Sequence, residues 1–156
     1  MRSAGQDLCI NCGMCCDGSL FWAVPIDAED PAPVTRDEDG RLRQPCACFD
    51  GVCTIYAQRP GACRTFDCRV LQIVKAGHKD AKWARAQIAA MKKLVVALEA
   101  ALPGDAPSVY RRAAEYIARH QAQFDDPAFQ RENREVLRLL SAYEQALARF
   151  HVARGS

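Results

Sequence analysis

No apolar run in this chain approaches the length of a membrane span; the longest are short and interrupted by Lys and Arg. The first residues, Met1-Arg2-Ser3-Ala4-Gly5-Gln6-Asp7, hold no apolar stretch and no small-residue cleavage site, so secretion is not indicated. A glycine-rich phosphate loop, a serine–histidine–acid constellation and paired carboxylates at a catalytic spacing are all missing. These absences exclude nucleotide-loop chemistry and the common hydrolytic sites as starting points. The most informative absence is local. Residues 69–156 contain no cysteine, whereas all nine lie within the first 68. Four fall in Cys9-Ile10-Asn11-Cys12-Gly13-Met14-Cys15-Cys16, and the rest are Cys46, Cys48, Cys53, Cys63 and Cys68.

A chain without export signals is expected in the cytoplasm, where thiols stay reduced and clustered cysteines serve as metal ligands or redox groups. The odd count also fits complete disulfide pairing badly. Charge divides along the same line as cysteine. Residues 1–70 carry 7 Lys+Arg against 10 Asp+Glu, net −3, and residues 71–156 carry 14 against 9, net +5. A nucleic-acid interface needs a basic stripe with interleaved aromatics near the site, and the cysteine-rich half is acidic. The positive charges are scattered along helical segments and read as a solvated surface.

The two halves also differ in periodicity. Residues 1–63 show turn formers and no sustained helical period, with short strands expected at 19–26 and 52–56. A hairpin is expected between Pro33-Val34-Thr35-Arg36 and Arg41-Leu42-Arg43-Gln44, turning at Asp37-Glu38-Asp39-Gly40. From Thr65 the period becomes 3.6. Thr65 is expected to cap a short helix through Lys75, with Gly77 just past its end. A long helix over about 79–102 carries Ala84, Ile88, Met91, Val95, Leu98 and Leu102 on one face. A second is expected after an Asp105 cap, with Pro107 in its first turn and Val109, Ala113, Ile117, His120 and Phe124 on one side. A third starts at Asp126-Pro127 and runs to Phe150. The expected fold is α+β, mostly α: a small cysteine-rich, metal-bound region over 1–70, then residues 71–156 as an antiparallel bundle of three long helices packed against it. His78, His120 and His151 lack a second ligand at a useful spacing; His120 reads as a packed, hydrogen-bonded core residue.

Two cysteines separated by two residues can wrap one ion in a tight turn, with thiolates about 2.3 Å from zinc. Cys9-x2-Cys12 has that spacing, and Gly13 after it can adopt positive φ and turn N–H groups toward sulfur. Cys12-x2-Cys15 repeats it, so a zinc knuckle and the start of a ferredoxin-like cluster run are both open. Side chains one residue apart diverge. Cys15 and Cys16 therefore serve two metals, bridge within a cluster, or leave one thiolate over. Eight cysteines suffice for two tetrahedral sites or for one four-iron cluster with spare thiols, and the ninth is left unligated.

The order Cys9-x2-Cys12-x2-Cys15-Cys16, then Cys46-x6-Cys53-Thr54-Ile55-Tyr56-Ala57-Gln58-Arg59-Pro60-Gly61-Ala62-Cys63-Arg64-Thr65-Phe66, resembles the YkgJ-type cysteine-cluster family, also called CxxCxxCC or zinc- or iron-chelating domain proteins. The resemblance covers about residues 8–70. It implies Cys9, Cys12, Cys15, Cys16, Cys46, Cys53 and Cys63 as metal ligands, with Cys68 as the eighth and Cys48 as the leftover thiol. The implied cofactor is zinc, iron or an iron–sulfur cluster. The resemblance carries no established reaction, and no catalytic residue is assigned. A related cysteine motif occurs in flagellin lysine methylases, but this chain lacks a nucleotide-binding loop and the methyl transfer does not carry over.

Pro60 is expected to hold Arg59 extended. Arg59 and Arg64 flank the thiols and are placed to offset thiolate charge, with Arg64 the stronger candidate, and Tyr56 to close the site against water. The expected function is metal-ion or iron–sulfur cluster binding, and the alternative is an iron–sulfur redox or electron-transfer component. Metal trafficking by labile thiolates is a third reading. The partner expected is a metal ion, with room for a protein partner, and neither nucleic acid nor membrane.

Overall fold

A computed structural model describes residues 3–30, 34 and 36–151. Its described residues are mostly helical, with one two-stranded antiparallel sheet. The first helix, α1 (Ala4–Cys12), lies where no helical period was expected. Ser3 and Gln6 close a reciprocal capping box: Gln6 N donates to Ser3 Oγ at 3.2 Å and Ser3 N to Gln6 Oε1 at 2.9 Å. With only Gly5 and Leu8 buried, the helix gives little apolar period to read, yet its cap is written plainly in Ser3-Ala4-Gly5-Gln6. It ends at Gly13, at φ 70°. A Cβ there would stand 2.7 Å from the Phe49 ring, so glycine is required twice over.

The expected strand over 19–26 shortens to β1 (Ala23–Val24), paired antiparallel with β2 (Leu42–Arg43) in the register Ala23↔Arg43 and Val24↔Leu42. The turn at Asp37–Gly40 forms as expected and is followed by an Arg36↔Leu42 bridge; Pro33 and Thr35 of the expected hairpin lie outside the described residues. No strand forms over 52–56. Asp50-Gly51 reverses the chain, Thr54 N and Oγ1 both donate to Cys48 O at 2.8 Å, and Tyr56–Gln58 make a 3-10 turn. The local turn bonds outcompete β propensity.

Two short helices follow, α2 (Gly61–Thr65) and α3 (Arg69–Lys75). Thr65 ends α2 instead of capping α3, a correction to the expected cap. Cys68 caps α3, its sulfur accepting from Leu71 N at 3.4 Å. Gly77 closes α3 at φ 76° as expected. Helix α4 (Ala81–Ala101) starts at an Asp80 cap and buries Ala84, Met91, Val95 and Leu98 on the expected stripe. Helix α5 (Val109–His120) is capped by Ser108, three residues past the expected Asp105, which leaves Pro107 before the helix. Ile117 is also exposed at 43%, off the stripe expected for it. The expected third helix is two. Asp126 caps α6 (Pro127–Glu132), Asn133 interrupts it, and α7 (Arg134–Phe150) follows. Asn133 Nδ2 donates to Phe129 O at 3.0 Å while its Oδ1 accepts from Tyr116, so this side chain spends its bonds at the break.

Helix α4 is central: α1, α3, α5 and α7 all touch it. One apolar core runs through both halves, from Leu8, Met14 and Leu20 to Leu98, Tyr143 and Phe150. Polar contacts also join the halves. Arg111 of α5 donates to Gln44 O and Trp22 O, both at 3.0 Å. Tyr143 of α7 donates to Ser19 O. His151 Nε2 meets Leu20 O at 2.8 Å. His120 is packed as expected, its ring against Tyr116 and Phe129 and its Nδ1 2.7 Å from Gln123 Oε1. None of the described helices is long and apolar enough to cross a membrane.

Candidate metal centre

The first two cysteines sit on the last turn of α1. A step of three along a helix brings Cys9 and Cys12 onto one face. Gly13 then turns the chain, with Cys16 N and Asp17 N both donating to its carbonyl at 2.9 and 3.0 Å. That turn presents Cys15 and Cys16. The pair is fixed by Gln44, buried to 1% exposure, whose amide nitrogen reaches Cys16 O at 2.9 Å and Cys15 O at 3.2 Å in the orientation that satisfies both groups. Cys46 N adds a 2.8 Å bond to Cys16 O. Gln44 was not singled out from sequence, and no motif marks it.

The eight cysteines expected as ligands line one largely apolar cavity of about 830 Å³, and Cys48 does not line it. Cys48 is buried beside Cys46. The eight cysteines that line the cavity are thiols without disulfide partners. Ile55, Tyr56, Leu71 and Phe150 are among the cavity's apolar walls. Burial pushes the Cys12 and Cys63 thiols up to about 11 and Cys16 up to about 12, and carries Cys15 well above its ordinary value. Such thiols are protonated near neutral pH, the opposite of an activated nucleophile.

Electrostatic influence between the thiols falls mostly into two groups, linked through the neighbours Cys15 and Cys16. After burial, Cys15 is raised by Cys12, Cys68, Cys16 and Cys9. Cys12 is likewise raised by Cys68 and Cys9. Cys16 is raised, after burial, by Cys53, Cys46 and Cys63, and Cys63 by Cys46 and Cys53. Among the described residues, no group of three or more His, Cys, Asp or Glu side chains is placed to hold a metal ion as the chain stands.

Arg59 is the cation of this cavity. It is extended before Pro60 (φ −63°, ψ 153°), as expected, and its guanidinium lies 3.6 Å from the centre of the Tyr56 ring. Its Nε is buried without a hydrogen-bond partner. Its charge lowers both Cys9 and Cys63, partly offsetting their burial. Arg64, the stronger expectation, does not line the cavity. Its charge acts on Asp30, whose carboxylate is held below its usual range chiefly by accepting Gly61 N at 3.0 Å. Around Cys68, Leu71 N and Val70 N oppose the rise that burial causes. These N–H groups point at sulfur as they do around metal-bound thiolates. Neither His78 nor His120 lines the cavity; His151 does, with its Nε2 engaged by Leu20 O.

No protein-family model, no curated protein and no solved structure matches this chain.

Proposed function

We propose that this is a metal-binding protein of the YkgJ type, in which Cys9, Cys12, Cys15, Cys16, Cys46, Cys53, Cys63 and Cys68 hold zinc, iron or an iron–sulfur cluster. The observation that carries the reading is that these eight thiols share one cavity from which Cys48 is excluded. An all-sulfur donor set suits thiophilic metals over calcium or magnesium, which take oxygen ligands. Such a centre supplies a cross-link, and with iron also an electron-transfer group. Ligation requires the thiols to lose their protons and close on the metal. Arg59 offsets the resulting negative charge from beside Tyr56, and the N–H groups of Val70 and Leu71 stabilise Cys68 as an anion. The surrounding apolar walls partly shield the sulfurs other than Cys9, which is exposed.

On this reading the metal organises residues 1–70, where the described strands are only two residues each. Structural metal binding contributes about 10–16 kcal/mol to folding. Helices α4, α5 and the α6–α7 pair then serve as the antiparallel bundle that backs the cavity, in a cytoplasmic protein. A redox role is the second reading, favoured by the three cysteines at steps of three. Hydrogen exchange before and after chelation tests the proposal. Amides of residues 8–68 should lose protection on metal removal while those in the middle of α4 and α7 keep it. Unchanged protection after complete removal of metal would contradict it.

A further inference from the structure

We infer that the eight thiols form two separate four-cysteine metal centres, one from Cys9, Cys12, Cys15 and Cys68 and the other from Cys16, Cys46, Cys53 and Cys63. The inference rests on the metal-binding reading above and adds the division, the membership of each centre and their adjacency. The first set is built by helices. Helices α1 and α3 are in contact, and Cys68, the cap of α3, lines the same cavity as Cys9 and Cys12 on the last turn of α1. Cys12, Cys15 and Cys68 all rest on the apolar core, and none of the second set does.

The second set is built by loops. Cys46 N bonds Cys16 O at 2.8 Å, Phe49 N bonds Cys46 O at 3.0 Å, and the Phe49↔Cys53 bridge folds Cys53 back toward them. Helix α2 delivers Cys63, its N-terminus tied to the Asp30 carboxylate at 3.0 Å. The dividing line falls at the Cys15–Cys16 peptide bond, which Gln44 braces from both carbonyls. Consecutive side chains diverge, so a vicinal pair places its sulfurs in different centres more readily than on one ion. Consecutive Cα atoms are about 3.8 Å apart, so the two centres are close neighbours. Arg59, stacked on Tyr56, lines the cavity that both sets share.

The test uses full-length protein purified without air or added metal. Cys68→Ser and Cys53→Ser should each reduce bound metal to about half that of the parent, and the double variant should hold almost none. Complete loss from either single variant would overturn the division. Should a variant fail to fold, the parent protein itself provides the answer. It is stripped gradually with a chelator, alkylated at the half-loaded stage and mapped by mass spectrometry. Alkylation confined to one set of four supports two centres, and alkylation spread evenly over both overturns them. A parent protein that binds no metal would sink the metal-binding reading itself, whereas a loaded parent with mixed alkylation sinks only the division.

Discussion

Replacing Arg111 by methionine should loosen the whole molecule, because this one side chain clasps α5 to the segment that braces the cysteines. Arg111 is 9% exposed. Its Nε donates to Gln44 O and an Nη to Trp22 O, both at 3.0 Å, and its guanidinium lies 4.1 Å over the Trp22 ring. Hydrogen bonds from a charged donor contribute about 1.5–3 kcal/mol each. The stacked cation adds roughly 0.5–1 kcal/mol. Methionine recovers part of the lost apolar contact, so the expected net loss is about 3 kcal/mol. At a slope of about 2 kcal/mol per molar urea, the unfolding midpoint should fall by roughly 1.5 M. Parent and variant are compared at equal metal content, followed by circular dichroism and tryptophan fluorescence. Arg111→Lys keeps a charge without the planar fork and should lose about half as much. A methionine variant within about 0.5 kcal/mol of the parent, as an ordinary surface change would be, refutes the clasp.

Other outcomes follow from the same geometry. Arg59→Gln removes the cation beside the cavity and should speed metal release to a chelator by about 10–100-fold, with Arg64→Gln much milder because Arg64 acts on Asp30; equal rates for both variants would contradict this. Gly18→Ala forces a side chain at φ 84° with its Cβ 2.3 Å from Ser108 Cβ, and should lower stability by at least about 2 kcal/mol in thermal unfolding. Cys48→Ala should leave the metal content per chain unchanged, at a cost of about 1 kcal/mol in lost burial, as elemental analysis and melting will show.

The helical half was the easier to read. Its stripe on α4 and the caps at Asp126 and Gly77 are local signals, and packing agrees with them. Where reading failed, a short-range polar bond had won. Ser108 caps α5 in place of Asp105, and Asn133 spends its side chain on the break that divides α6 from α7. In the cysteine half the ladder bonds are too few to impose a period, so turns replace the strand expected at 52–56. Helix α1 was missed because only Gly5 and Leu8 are buried, although its capping box was there to see. Of the site, the eight cysteines that the family resemblance implied all line the cavity, and Cys48 does not. Arg64 was the stronger expectation, yet Arg59 lines the cavity and Arg64 does not, since adjacency to Cys63 in sequence says nothing about which way a long side chain turns. Gln44 could not be found that way, because its importance lies in two carbonyls brought to it by the fold.

Metal analysis with a visible spectrum, on protein purified anaerobically without added metal, tests the central claim most directly. The account predicts stoichiometric metal bound through thiolates. This means either zinc in a colourless protein or iron with acid-labile sulfide and absorbance near about 400 nm, the mark of an iron–sulfur centre. Protein that is fully folded, with the eight cavity cysteines open to alkylation and no zinc or iron bound, would contradict it.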